Sequence, residues 1–348
     1  MSNQTKEIVE QVKEYCAQIG RNSLLVQGPG GNISWKDKGT LWIKASGAWL
    51  ADAEKNEIFV PVDYFSLRAA IDNGNFSIIP KVIGDSTLRP SIETMLHALM
   101  PHKVVLHLHV VEILAHLVRQ NPQQAFENLI GDSVNWTFVD YFKPGEKLAE
   151  AVQIALQKVP EADVVLLKNH GVVIGGKNID DIRIILTKLV SCLRNPIAIL
   201  PSVGARNNVF PQLQTDSYKL CRDLELNQLA THPQLSSRLE KAWVLYPDHA
   251  VFLGPKPTIL KYFEELEDLE LLLENKPAFI FMLNVGIYEI KTVSLAERAQ
   301  LRCYYDVLTR QSLSHKLEVL TPASVDDLIN WDAEQYRKSS VGYQKITN

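Results

Sequence analysis

The stretch that most constrains this chain runs from Arg89 to Val110, RPSIETMLHALMPHKVVLHLHV. It joins one acidic residue, Glu93, to a His-x-His pair, His107 and His109, through a short helical pattern and then a strand pattern. Val104, Val105 and Leu106 form an apolar run that reads as a strand entering a core. Side chains on a strand alternate faces, so His107 and His109 point the same way while Leu108 faces the core. Two imidazoles on one face can converge on one cation. A His-x-His pair standing alone is more often two polar residues on a solvated face, so its context decides.

That context lies in ADVVLLKNHGVVIGG, Ala162 to Gly176. Here a second apolar strand breaks at Asn169-His170-Gly171 and resumes at Val172. A histidine at the mouth of such a tight turn can project from the sheet end toward a neighbouring strand. Three neutral imidazoles with one open position describe a catalytic rather than a structural zinc site.

With these pieces in place the sequence resembles the class II aldolase/adducin family, which includes zinc-dependent fuculose- and rhamnulose-phosphate aldolases and ribulose-phosphate 4-epimerase. The matching motifs are GPGGNIS at Gly28 to Ser34, KASG at Lys44 to Gly47, PSIE at Pro90 to Glu93, HLH at His107 to His109, and NHG at Asn169 to Gly171. They occur in the family's order across residues 25 to 176. The resemblance implies an α/β fold of three layers, α/β/α, with a mainly antiparallel central sheet. It implies one Zn2+ per chain held by His107, His109 and His170, with Glu93 transferring a proton beside it. Gly31, Asn32, Ser46, Gly47 and Ser91 match the family's substrate-phosphate contacts. Where fuculose-type aldolases carry a second serine this chain has Ile92, and Arg89 stands close enough in sequence to supply compensating charge. The family's catalytic tyrosines have no assigned match; Tyr141 falls in a different part of the pattern.

The reaction so implied is cleavage of a (deoxy)ketose 1-phosphate to dihydroxyacetone phosphate and an aldehyde through an enediolate. Related members epimerise, dehydrate or decarboxylate with the same metal site. Adducin-like members are non-catalytic oligomeric binding modules that have lost the histidines present here. Family members assemble as tetramers with sites between subunits, so a homo-oligomer is expected.

Composition agrees with a soluble cytoplasmic enzyme, and the resemblance implies a small sugar phosphate as its partner. The 348 residues are enough for two domains. A net charge of -4 and a pI near 6.2 give no broad basic footprint for nucleic acid. No apolar run reaches membrane-spanning length, and MSNQTKEIVE has no signal-peptide pattern. Cys16, Cys192, Cys221 and Cys303 lie far apart without CxxC spacing, which favours a reducing compartment.

Along the chain, helical spacing predicts an amphipathic helix over Thr5 to Ile19. Leu24 to Val26 read as a short strand feeding the Gly28 to Gly31 turn, whose amides can form an anion nest. Strands are predicted at Thr40 to Lys44 and Phe138 to Tyr141, and helices at Ile92 to Met100, Val111 to Val118 and Glu146 to Lys158. His97 follows Glu93 by one helical turn as a secondary polar contact, and His102 and His116 read as structural or surface residues. Pro201 to Pro211 has the texture of a domain boundary, dividing the chain into a catalytic unit, 1–203, and a C-terminal lobe, 204–348.

That lobe is predicted to hold an acidic helix from Leu260 to Glu274, a strand from Ala278 to Asn284, and a helix from Leu295 to Thr309. Its strand, Asn284-Val285-Gly286 turn, strand and helix repeat the layout around His170, with Val285 at the histidine's place. It is either a decayed copy without metal ligands or a convergent strand–turn–helix layout. YPDH at Tyr246 to His249 and the Asn330 to Tyr336 segment also resemble the aldolase module of rhamnulose-phosphate aldolase/lactaldehyde dehydrogenase proteins.

Overall fold

The computed structural model describes residues 3–198, 217–261 and 276–341. The expected loop at 201–211 and residues 262–274 of the expected acidic helix lie outside the described residues.

Seven strands form the first sheet: β1 Asn32–Asp37, β2 Thr40–Lys44, β3 Phe59–Asp63, β4 Val104–Leu108, β5 Trp136–Val139, β6 Val164–Leu167 and β7 Gly171–Gly176. Their order is β3-β2-β1-β4-β7-β6-β5. Every neighbouring pair is antiparallel except β5 and β6, which run parallel. β4 sits centrally because VVLHL is buried along its whole length, and alternation sends its residues into two cores.

Val104, Leu106 and Leu108 join Val164, Leu166, Val172 and Ile174 in one apolar cluster, with Val12, Ile113, Leu114, Ile182 and Leu186 from helices over them. Val105, Val165, Leu167 and Val173 face the other side, under Leu67, Ile71, Met95, Leu96, Leu148 and Val152. Helices thus cover both faces of a mixed, mostly antiparallel sheet, giving the expected α/β/α layering. The helices Val111–Leu117, Glu146–Lys158 and Leu295–Thr309 fall where periodicity puts them.

Three local expectations need correction. Leu24 to Val26 is a turn, because Leu25 and Val26 donate backbone hydrogen bonds to Asn22 and the Asn22 side chain accepts from Leu24 N. The helix expected from Ile92 begins at Thr94, since Ser91 Oγ accepts from Glu93 N and Thr94 N donates to Ser91 O, making a turn ahead of it. The strand expected at Phe138 to Tyr141 lies earlier, at β5, in register with β6.

A second sheet follows: β8 Tyr218–Leu220, β9 Thr258–Leu260, β10 Phe279–Met282 and β11 Gly286–Ile290, ordered β8-β11-β10-β9. Leu260, expected to open a helix, therefore ends a strand. β9 runs parallel to β10, β10 antiparallel to β11, and β11 antiparallel to β8. The same chain order and directions hold for β4, β5, β6 and β7 in the first sheet. The two sections share one apolar core, in which Leu114 and Leu117 meet Tyr304, Val307 and Leu308. Among the described residues, no helix is long and apolar enough to cross a membrane.

Candidate metal centre

His107 lies on β4, His109 just beyond its end, and His170 in the turn between β6 and β7. All three are buried, and one ring nitrogen from each lies within 4.8 Å of the others. Gly171 lets that turn close on β4: a Cβ there would stand 2.5 Å from Leu108 O and 2.9 Å from His109 Cδ2. Asn169, at φ 49, takes the left-handed conformation that turns His170 inward. Its side chain donates to Leu245 O at 2.9 Å and Glu318 O at 2.8 Å, tying the turn to the second section.

The ring nitrogens can be assigned from their partners. His107 Nδ1 donates to Val172 O at 3.1 Å, and His109 Nδ1 lies 3.3 Å from Asp248 Oδ2. Both Nε2 atoms are then lone-pair donors, and they face each other at 3.1 Å. Two lone pairs pressed together in a buried site repel unless a cation lies between them. His170 brings its Nε2 to 3.3 Å from Glu93 Oε1, while Glu93 Oε2 lies 3.4 Å from His107 Nε2. This donor set fits a divalent ion of the zinc type.

Burial pushes His107 down to about 4 and His170 to about 3, although the Glu93 charge pulls each the other way. At neutral pH His107 and His170 are uncharged, as metal ligands must be. Burial also acts to raise the Glu93 carboxyl, but the surrounding imidazoles and an Asn32 hydrogen bond hold it at about 2. Asn32 Nδ2 donates to Glu93 Oε2 at 2.8 Å and to Ser91 Oγ at 3.2 Å. His97 holds the amide in that orientation: it donates to Asn32 Oδ1 and accepts from Ser34 Oγ at 2.8 Å. It is the secondary contact its spacing suggested. His102 pairs with Asp163 and His116 bonds Leu193 O, both away from the centre.

Gly31, Asn32, Ser46, Gly47, Ser91, Glu93, His109 and His170 line one pocket, with His107 beneath it. Ser46 Oγ is buried there without a hydrogen-bond partner among the described residues. The sequence reading missed much of the opposite wall: Lys44, Pro247, Asp248, Glu334 and Arg337. Four of these come from the second section of the same chain. The YPDH and Asn330 to Tyr336 segments marked the region but gave these residues no role.

Arg89, whose exposed guanidinium stacks on the Tyr336 ring at 4.0 Å, is not among the residues lining this pocket. Arg337 lines the pocket, as Lys44 does, and is paired with Asp248 and, at 3.2 Å, with Glu334. Burial, chiefly, pushes Glu334 up to about 7 and Lys44 down to about 7.

A buried set of three imidazoles flanked by a carboxylate, at one end of a layered α/β sheet, defines a candidate divalent-metal centre. The family model described as the Class II Aldolase and Adducin N-terminal domain matches residues 10–195. That is more than half of the chain, and the chain belongs to this family.

A curated relative, an uncharacterized oxidoreductase YuxG of Bacillus subtilis, is 29% identical over 185 residues, which make up 49% of this chain and 26% of that protein. The matched stretch thus spans about a quarter of that relative. Among solved structures, the N-terminal class II aldolase domain of a conserved protein from Thermoplasma acidophilum is 25% identical, covering 53% of this chain and 91% of that one, with a TM-score of 0.46. An L-fuculose 1-phosphate aldolase is 19% identical over 56% of this chain and 84% of that one, with a TM-score of 0.40.

Proposed function

We propose that this chain is a zinc-dependent aldolase that cleaves a (deoxy)ketose 1-phosphate to dihydroxyacetone phosphate and an aldehyde. The observation that carries the reading is the convergence of His107, His109 and His170 on one point, with the ionised Glu93 carboxylate touching two of them. Bound there, the ion would supply Lewis acidity toward the ketose oxygens.

The chain's own residues account for the rest. Cleavage leaves the bonding pair on the ketose fragment as an enediolate, and Glu93 carries the proton that converts it to the product ketone. Asn32 keeps that carboxylate aimed at the centre. Gly31, Ser46, Gly47 and Ser91, with the Asn32 backbone, are suited to grip the phosphate away from the breaking bond and so to orient the sugar. Residues 1–203 act as the catalytic unit, and 204–348 as a lobe that gives no metal ligand but walls the pocket. The chain works as a homo-oligomer in the cytoplasm, and light scattering at micromolar concentration that finds only monomer would remove the oligomer.

The reaction is tested by incubating the zinc-loaded chain with a panel of ketose 1-phosphates. Dihydroxyacetone phosphate should form from at least one of them. Isomers, dehydrated products or carbon dioxide in its place would move the chain to another reaction of its family.

A further inference from the structure

We propose that Asp248, delivered by the second section of the chain, is a positioning residue for the metal centre: it holds His109 in the tautomer that turns Nε2 toward the ion. The role rests on the metal centre described above and extends it to a residue outside the matched family domain.

A neutral imidazole carries one ring proton, and an acceptor beside Nδ1 draws it there, leaving Nε2 free to ligate. Each histidine of the His-x-His pair has such an acceptor. For His107 it is a backbone carbonyl of the first sheet, Val172 O at 3.1 Å. For His109 it is Asp248 Oδ2 at 3.3 Å, on the short helix Pro247–Leu253. A carboxylate also raises the basicity of the far nitrogen, as outer-shell acceptors of metal-bound histidines do.

Asp248 is built into place on every side. It is 1% exposed. Gln300 Nε2 donates to the same Oδ2 at 3.2 Å, and Arg337 donates to Oδ1. A Cβ on Gly30 would stand 2.8 Å from Gln27 O in its own turn, 3.1 Å from Asp248 Oδ2 and 3.4 Å from His109 Nδ1, so a glycine leaves room for the turn and for this contact together. A carboxylate serving only as a counter-ion for Arg337 would need no oxygen on His109.

The test uses the full chain, stripped of metal and titrated with Zn2+ against a chromophoric chelator, with Co2+ as a spectroscopic probe. Asp248→Asn alone would strand the Arg337 charge in the interior, so Asp248→Asn/Arg337→Gln is compared with Arg337→Gln. Gly30→Ala gives a second perturbation that keeps every charge, its methyl pressing on Gln27 O of its own turn as well as on the contact. We expect the double variant and Gly30→Ala each to bind zinc about 10- to 100-fold more weakly than the parent, with a changed Co2+ spectrum. The double variant should bind zinc more weakly than Arg337→Gln, which still has Asp248 on His109, and His109→Ala should lose the ion. Parent-like zinc affinity in a folded double variant, or in Gly30→Ala should the double variant not fold, overturns the role of Asp248. Parent-like affinity in His109→Ala would instead overturn the metal centre itself, and this role with it.

Discussion

The turn joining β6 to β7 and the turn joining β10 to β11 share a backbone plan. Asn169 and Asn284 both adopt positive φ, at 49 and 65. Each donates its N–H to the helix that follows the matching strand, Asn169 to Leu117 O at 3.2 Å and Asn284 to Ala230 O at 3.0 Å. The next residue closes both turns in the same way, His170 N on Leu167 O and Val285 N on Met282 O. Counting register outward from the turns, Val173 pairs with His107 and Tyr288 with Leu220. Leu220, Arg222 and Val285 therefore stand where His107, His109 and His170 stand in the first sheet. The backbone plan carries no chemistry by itself, which resides in three side chains and the carboxylate brought beside them.

The most damaging way to break the comparison is to exchange what the turns carry. His170→Ala should lose most of a zinc content of about one per chain and at least about 10³-fold in activity, from several kcal/mol of lost Lewis-acid stabilisation. Val285→His should gain no second ion, because Leu220 and Arg222 offer it no partners. Metal analysis of both variants decides it, and a second zinc in Val285→His would show that the plan alone suffices.

Next comes Glu93→Gln, which keeps the histidines and the size of the side chain but removes the base. Activity should fall about 10²- to 10⁴-fold with zinc retained. Solvent-proton exchange into dihydroxyacetone phosphate should fall with it, and full exchange in a zinc-loaded variant would move proton transfer to another group.

A smaller effect compares the turns as scaffolds. Asn284→Ala forces a Cβ-bearing residue without a polar tip into the left-handed region, costing about 1 kcal/mol. Asn169→Ala carries that cost plus two lost bonds to Leu245 O and Glu318 O, about 1 kcal/mol each, for a total near 3 kcal/mol. Equal losses in urea melts would mean that these two bonds contribute little.

The gentlest probe is pH. Burial pushes His97 down to about 3, close to the values at His170 and His107, and all three sit around the first turn. A depressed folded pKa means that the unfolded chain binds more protons, so this stability is complete above about pH 6.5 and is lost as pH falls toward 4. In metal-free protein, amide-exchange protection factors in β4 and β7 should fall from pH 7 to pH 5 more than in β10 and β11. A uniform fall in protection would place the acid sensitivity elsewhere.

Much of the first turn was legible in the sequence because short-range rules decide it. The apolar runs around Asn169-His170-Gly171 have one stable arrangement, and strand alternation sends His107 toward the side His170 reaches from the next strand. Pocket residues from Gly31 to Ser91 followed from motif order. The far wall was not legible, because Asp248 and Arg337 approach His109 through tertiary packing across a long sequence separation, which no periodicity encodes. Arg89 shows the converse: nearness in sequence suggested a role at the pocket, but its guanidinium lies on Tyr336 and outside the lining. Leu24 to Val26 shows a third, where three apolar residues imitate a strand but an Asn22 turn claims their backbone.

The bond from Arg310 Nε to Glu112 Oε1, at 2.9 Å, joins residues 198 apart, and Gln311 reaches Ala115 O across 196. These are the longest ties over the helix Val111–Leu117, which follows directly on the His-x-His pair. A ribosome adding 5–20 residues per second produces Arg310 roughly 10–40 s after Glu112. For that interval the nascent chain holds its histidines next to an apolar helix whose covering helix does not yet exist. Synthesis therefore opens a window in which this surface is exposed to chaperones and to neighbouring chains, and it closes only when the second section arrives.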